Sequence, residues 1–254
     1  MSTIIENRVM PGVVSLTLNR PEKRNALNIE MVSALCDKID ALNEDETCRV
    51  IILKGSQELF CAGLDLKEAL DHSNADKSAG LIARLLQTMW RLNPVTIATV
   101  HGAAIGGGAG LMAACDFVLI EEQAKIGFPE ITRGLVAALI MTVIKRQVPL
   151  RKMRELLLLG NIIDPVEAKE VGLVNQVVKS GEMESKLKQL VDQLLSLPHH
   201  ATTVTKRLMH SLDPSSIPRD MDVALEQHRE VRYSDEAQEG IQAFLEGRPP
   251  VWKK

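Results

Sequence analysis

The sequence predicts an α/β fold with parallel strand pairing. Two observations carry this. Over the first two thirds, strand-like and helix-like apolar patterns alternate in β-α-β-α-β-α-β order. Over the last third, every apolar pattern has helical period. Val13–Leu18 alternates as a strand and stops at Asn19-Arg20-Pro21. Ile29–Leu42 places Met31, Leu35, Ile39 and Leu42 on one helical face. Val50–Leu53 is a short continuous apolar run before Gly55, as in a strand buried on both faces. Ala79–Leu92 returns to helical spacing, Thr96–Val100 is a third strand, Gly107–Cys115 a short helix and Phe117–Ile120 a fourth strand. Helices then follow over Arg151–Leu159, Pro165–Val171, Glu182–Leu197, Ala201–Leu212, Arg219–Arg232 and Asp235–Glu246. Asp164-Pro165 and Ser234-Asp235 suit helix starts. Residues 1–195 read as the α/β core. Residues 196–254 read as a helical C-terminal region available for oligomerisation and for covering a site.

Composition narrows the function. With 254 residues, 30 Lys+Arg against 33 Asp+Glu and 45% hydrophobic residues, the chain is an ordinary globular one with a net charge of −3. A chain of this size buries about 70–75% of its unfolded surface. The near-neutral balance argues against holding nucleic acid by bulk charge, and 3% aromatics against a base-stacking platform. The N-terminus has no apolar signal core, and the longest uncharged apolar stretch, Gly134–Ile144, is too short to span a bilayer. Four cysteines without a C-x-x-C pair give no metal-binding pattern and fit a reducing, cytoplasmic compartment. No membrane or nucleic-acid partner is expected.

Familiar catalytic signatures fail. G-x-G-x-x-G breaks at Leu111, and Walker A, H-E-x-x-H and G-x-S-x-G are absent. His199-His200 reads as a solvated loop between helices. Three segments remain. Phe60–Leu66 follows the second strand, and His101–Gly108 follows the third. Each reads singly as a glycine-permitted strand-to-helix turn. Each also offers unpaired backbone N–H groups at a helix start, and two from different strands could grip one oxygen. In Phe128-Pro129-Glu130, Pro-Glu before an apolar run suits a helix opening, with Glu130 an acid in its first turn.

At these residues the sequence resembles the crotonase, or enoyl-CoA hydratase/isomerase, superfamily. The blocks stand in family order along almost the whole chain: 19–27, 60–66, 102–108, Cys115-Asp116, 128–130, 168–174 and 244–249. The resemblance implies a crotonase-like spiral of β-β-α units with a helical C-terminal region, assembled as a homotrimer or hexamer. It implies an acyl-CoA thioester substrate and no separate cofactor or metal, coenzyme A being part of the substrate. The family's oxyanion donors match the N–H groups of Ala62 and Gly107. Its catalytic carboxylate matches Glu130. Main chain at Ala26 and at Ala62, Gly63, Leu64, Asp65 and Leu66 matches the adenine pocket. Lys23 and Arg24 fall where the family places charge near the CoA phosphates.

One departure matters. Hydratases of the best-known type hold a water with two glutamates, and the first falls at position 110, here Gly110. Glu121 and Glu122 lie nearby but match no family acid. The segment after Gly134 also lacks the family's Gly-Gly-Thr-Gln cluster and any Asp for dehalogenase-type attack, and Gly247 stands where relatives often carry Lys. A single glutamate suffices for Δ3–Δ2 double-bond migration, which is therefore the expected reaction. Hydration with one glutamate, and acyl-CoA binding without catalysis, are the alternatives.

Overall fold

The computed structural model describes residues 2–57, 59–212 and 217–252. In chain order these form β1 (Ile4–Met10), β2 (Val13–Leu18), α1 (Ile29–Glu44), β3 (Val50–Gly55), α2 (Leu66–Ala69), α3 (His72–Arg91), β4 (Val95–Val100), β5 (Ala103–Ile105), α4 (Gly107–Ala113), β6 (Phe117–Glu121) and β7 (Lys125–Gly127). A 3₁₀ turn, Pro129–Arg133, precedes α5 (Ala138–Ile144), α6 (Leu150–Leu159), β8 (Ile162–Ile163), α7 (Pro165–Glu170) and β9 (Gln176–Val178). The chain ends in α8 (Met183–Ser196), α9 (His199–Ser211), α10 (Ile217–Arg232) and α11 (Asp235–Glu246).

Six strands form one sheet in the order β1-β2-β3-β4-β6-β9. β2, β3, β4, β6 and β9 run parallel, with Val13 opposite Val50 and Val50 opposite Val95. A second sheet, β5-β7-β8, is extended by a bridge between Cys61 and Ala104. Strands of the large and small sheets alternate along the chain before each helix, which gives the spiral repeat β4-β5-α4 and β6-β7-α5. The large sheet is buried on both faces, so β2 and β4 expose no residue. One face packs on α1 and α3 through Leu16, Leu35, Leu53 and Leu85. The other is covered by α8 through Leu187, Val191 and Leu194 against Val13, Val50, Ile97 and Leu119. α9 is pinned to the sheet by Lys206, only 4% exposed. Its Nζ donates to Asp116 Oδ2 at 2.5 Å and to the Pro94 carbonyl at 2.8 Å.

The strands and helices expected from periodicity are present, and Asp164 and Ser234 cap α7 and α11 as expected. Several differences have clear causes. β1 escapes the pattern because it lies at the sheet edge, where only its first residue is buried. β5, β7, β8 and β9 are two or three residues long, below any periodic signal. α3 begins seven residues before the expected Ala79, because its first turns are polar and Asp71 caps them. His199 and His200 open α9 and are not a loop. Glu130 lies in the 3₁₀ turn, not in the helix expected after Pro129. Gly134 at φ +65° closes that turn, and α5 starts only at Ala138. Among the described residues no helix is long and apolar enough to cross a membrane.

One buried side chain joins three segments. Asn25 is fully buried, and its Nδ2 donates to the carbonyls of Ser56 at 3.0 Å and Leu59 at 2.7 Å. Its Oδ1 accepts from Arg20 N and Ser56 Oγ. Asn25→Ala strands these groups. A loss of about 3 kcal/mol is expected, because each buried unsatisfied group costs roughly 1–3 kcal/mol. Urea unfolding would read it as a lower midpoint, and an unchanged midpoint would show that water replaces the amide.

Candidate active site

One cavity of about 310 Å³ lies where the tops of the two sheets meet α5, α10 and α11. All ten residues singled out from the sequence line it: Lys23, Arg24, Ala26, Ala62, Gly63, Leu64, Asp65, Leu66, Gly107 and Glu130. Lys23 and Arg24 are exposed, as is a third cation, Lys67. The deeper wall is aliphatic, from Ile82, Ile105 and Leu135 to Ile140. Among the described residues no cluster of His, Cys, Asp or Glu could hold a metal.

Backbone pairing decides which N–H groups face the cavity. Residues 61–65 run extended between two neighbours. Cys61 pairs with β5, donating to Ala103 O at 3.1 Å and accepting from Ile105 N at 3.0 Å. On the other side, Leu27 N donates to Gly63 O at 2.7 Å and Asp65 N to Leu27 O at 2.9 Å. The expectation for Ala62 is corrected here: its N–H donates to Arg24 O at 3.0 Å and is not open to a substrate. The sequence matching placed the donor two residues too early. The N–H of Leu64 has no acceptor among the described residues and sits beside Gly107. Gly107 opens α4, so its N–H lacks an intrahelical acceptor. A Cβ built on Gly107 would lie 3.7 Å from Leu64 N, and one built on Gly63 3.4 Å from Gly107 N. Two open donors therefore converge. Gly63 is required between them, since φ is +95° and a Cβ would come within 2.7 Å of Ile105 O.

Glu130 faces the same point. A Cβ on Gly106 would touch its Oε1 at 2.8 Å, so the glycine makes room for the carboxylate. Its Oε2 is buried without a hydrogen-bond partner. Burial among apolar walls pushes the Glu130 carboxyl up to about 7, while its own backbone N–H and Arg133 pull the other way. The other carboxylate on the wall, Asp65, is engaged. It pairs with Arg20 at 3.0 Å and accepts from Lys67 N at the start of α2. At Gly110, a Cβ would lie 2.8 Å from Ile140 Cγ1. The place opposite Glu130's turn is thus filled by an aliphatic side chain, and a larger residue at 110 needs Ile140 to move.

The sequence reading missed several wall residues. Ile140 carries no signal of its own; its role follows from contact with Gly110. Arg133 is three residues after Glu130, and its guanidinium lies 4.2 Å from the Phe244 ring centre. Phe244 and Leu245 of α11 and His228 of α10 reach the cavity from more than 90 positions downstream. Only folding brings them there. α11 is keyed onto the turn that carries Glu130: a Cβ on Gly240 would fall against Arg133 O.

Comparison with known proteins identifies the family. Residues 8–254 match the sequence model of the family described as enoyl-CoA hydratase/isomerase. A Thermus thermophilus protein, provisionally named an enoyl-CoA hydratase, is 33% identical over 94% of this chain and 96% of its own length. The enoyl-CoA isomerase/hydratase fer4 of Mycosarcoma maydis is 29% identical over 96% and 93%. The crystal structure of an enoyl-CoA hydratase from Mycobacterium avium superposes over both full chains with a TM-score of 0.89 at 28% identity. An enoyl-CoA hydratase structure from Mycobacterium smegmatis gives 0.82 at 31%, again over both full chains. Its motifs, its spiral fold and these matches together place the chain in the enoyl-CoA hydratase/isomerase, or crotonase, family.

Proposed function

We propose that this chain binds an acyl-CoA thioester and moves a proton within its acyl group, shifting a Δ3 double bond to Δ2. The observation that carries this reading is the carboxylate census of the cavity. Glu130 is the one wall carboxylate among the described residues that has no ion-pair partner, and Ile140 occupies the place of a second acid. The thioester carbonyl oxygen sits between the N–H groups of Leu64 and Gly107. As the Glu130 carboxylate removes a proton from C2, the electron pair moves onto that oxygen, giving a dienolate. The two donors stabilise the charge; one such donor is worth about 10²–10³ in rate. The same proton returns at C4, so nothing is consumed. Positioned proton transfer contributes about 10²–10⁴, and a carboxyl near 7 can both accept and release it close to neutrality. The exposed cations Lys23, Arg24 and Lys67 at the mouth suit the CoA phosphates. Main chain at 26 and 62–66 suits the adenine.

Hydration of 2-enoyl-CoA with Glu130 alone is the second reading, supported by the hydratase names of the relatives. Ultraviolet absorbance separates the two. Isomerisation of a 3-enoyl-CoA creates the conjugated chromophore, and hydration of a 2-enoyl-CoA destroys it. Conjugation appearing fast from the former and lost slowly from the latter is the expected result. The reverse would establish hydration.

Glu130→Gln should lower turnover by about 10²–10⁴ and leave acyl-CoA binding, read by calorimetry, largely intact. Full activity in this variant would remove Glu130 from the mechanism. Because the base must be ionised, kcat/KM should rise with pH through about 7 and level off above it. A flat profile from pH 5 to 9 would contradict this. The same shift acts on stability. The Glu130 carboxyl, raised in the folded state, favours folding in its protonated form, and this contribution is lost as pH climbs from 4.5 through about 7. Glu130→Gln should therefore be more stable than the parent protein at pH 8, by up to roughly 3 kcal/mol in urea unfolding, and match it near pH 4.

A further inference from the structure

The turn that carries Glu130 also carries Arg133. In a 3₁₀ turn, residues three apart eclipse one another, and Pro129–Arg133 is such a turn. Both residues line the cavity. A carboxyl and a cation so placed ordinarily pair. No ion pair joins them among the described residues, and Glu130 Oε2 and Arg133 Nε are each buried without a hydrogen-bond partner.

The guanidinium is held elsewhere. Its carbon lies 4.2 Å from the centre of the Phe244 ring, within reach of a cation–π contact. Nη1 adds a long bond, 3.5 Å, to the carbonyl of Pro129. α11 fixes this arrangement from two points on one face. A Cβ on Gly240 would fall against Arg133 O, so the helix backbone lies directly on residue 133. Phe244 stands four residues further along the same face, where its ring meets the guanidinium. Leu135, Ala237 and Ile241 form a buried cluster that anchors the helix there.

Other charges around the turn are engaged or face solvent. On α11, Glu239 and Glu246 are bonded to Arg248, and Asp235 and Glu236 are exposed. On α6, Lys152 pairs with Glu155 and Glu167, and Arg151 and Arg154 are exposed. Asp65 is bonded to Arg20, and burial keeps His228 of α10 neutral at physiological pH. Lys23, Arg24 and Lys67 are exposed at the mouth. Glu130 and Arg133 are therefore left to act on each other. Which partner Arg133 takes decides what Glu130 can do. A carboxylate paired with a guanidinium is ionised but weakly basic, and its lone pairs are occupied. With the guanidinium on the ring, the carboxylate keeps its basicity.

We propose that Phe244 is a positioning residue: its ring holds the Arg133 guanidinium against α11 and so keeps it from pairing with Glu130, leaving the carboxylate free for the acyl group. This rests on the reading of Glu130 as the base.

The test titrates Glu130 itself, through the carboxyl infrared band that disappears in Glu130→Gln, so it needs no substrate. Phe244→Leu keeps apolar bulk and removes the ring face. Its Glu130 midpoint should fall by about one pH unit or more, as a nearby opposite charge lowers a carboxyl. Phe244→Tyr keeps the face and should titrate like the parent. Arg133→Met should titrate at or above the parent, and adding Phe244→Leu to it should move nothing further. That comparison separates release of Arg133 from entry of water, which would lower the midpoint in both backgrounds. In turnover, the acid limb of kcat/KM should shift with the midpoint, and its plateau should fall. An unmoved midpoint in Phe244→Leu, or an equal fall without Arg133, would overturn the proposal. If Phe244→Leu does not fold, Arg133→Lys carries the test. Its ammonium does not stack on a ring as a guanidinium does, so its midpoint should also fall, and a parent-like value would overturn the proposal. These shifts in a protein that turns over no enoyl-CoA would sink the reading of Glu130 as the base and leave the hold on Arg133 standing.

Discussion

The site depends on one buried amide. Asn25 occupies a position where its side chain completes the hydrogen bonding of two carbonyls and a main-chain N–H from separate turns. Its own carbonyl accepts from Cys61 Sγ at 3.1 Å. With the loop at 24–27 held in this way, the segment after β3 has its partners dictated. Cys61, Ala62, Gly63 and Asp65 each satisfy a fixed neighbour. The N–H left over in this stretch, among the described residues, is that of Leu64, and it lies beside Gly107 at the start of α4. Both residues are half-buried on the cavity wall.

Around those donors, small and large residues are matched. Gly63 and Gly106 admit the close approach of backbone and carboxylate, and Gly110 accepts the bulk of Ile140. Gly240 lets α11 lie directly on the turn that carries Glu130. The outcome is electrostatic as much as steric. Aliphatic walls and a closing helix remove water from Glu130, and that raises its carboxyl toward neutrality. The absence of an acid at position 110 is thus no simple deletion. The space is occupied by Ile140, and Glu130 is the cavity-wall carboxylate left without an ion-pair partner among the described residues.

Much of this was legible in the chain. β3 and β6 announced themselves as continuous apolar runs, as a sheet buried on both faces favours, and β2 by its alternation. The glycine turns and Glu130 were legible because backbone donors and close packing demand particular residues at particular places. The donor register was misread at Ala62. A sequence shows which turn carries N–H groups, but not which of them its neighbours consume. The start of α3 and the helical state of His199 and His200 were missed for a related reason: polar first turns are held by caps and tertiary contacts that leave little periodic trace.

The sequence by itself determined the layered α/β class, the family and ten residues that meet at one cavity. Local pattern suffices there, because strand burial, helix period and glycine placement are properties of neighbouring residues. The tertiary structure alone decided that Leu64 and not Ala62 stands beside Gly107, that Ile140 fills the space at Gly110, and that Arg133, His228 and Phe244 line the cavity. Those facts are contacts between residues far apart in the chain. Their energies come from packing, pairing and lost hydration, which exist only once the chain has closed on itself.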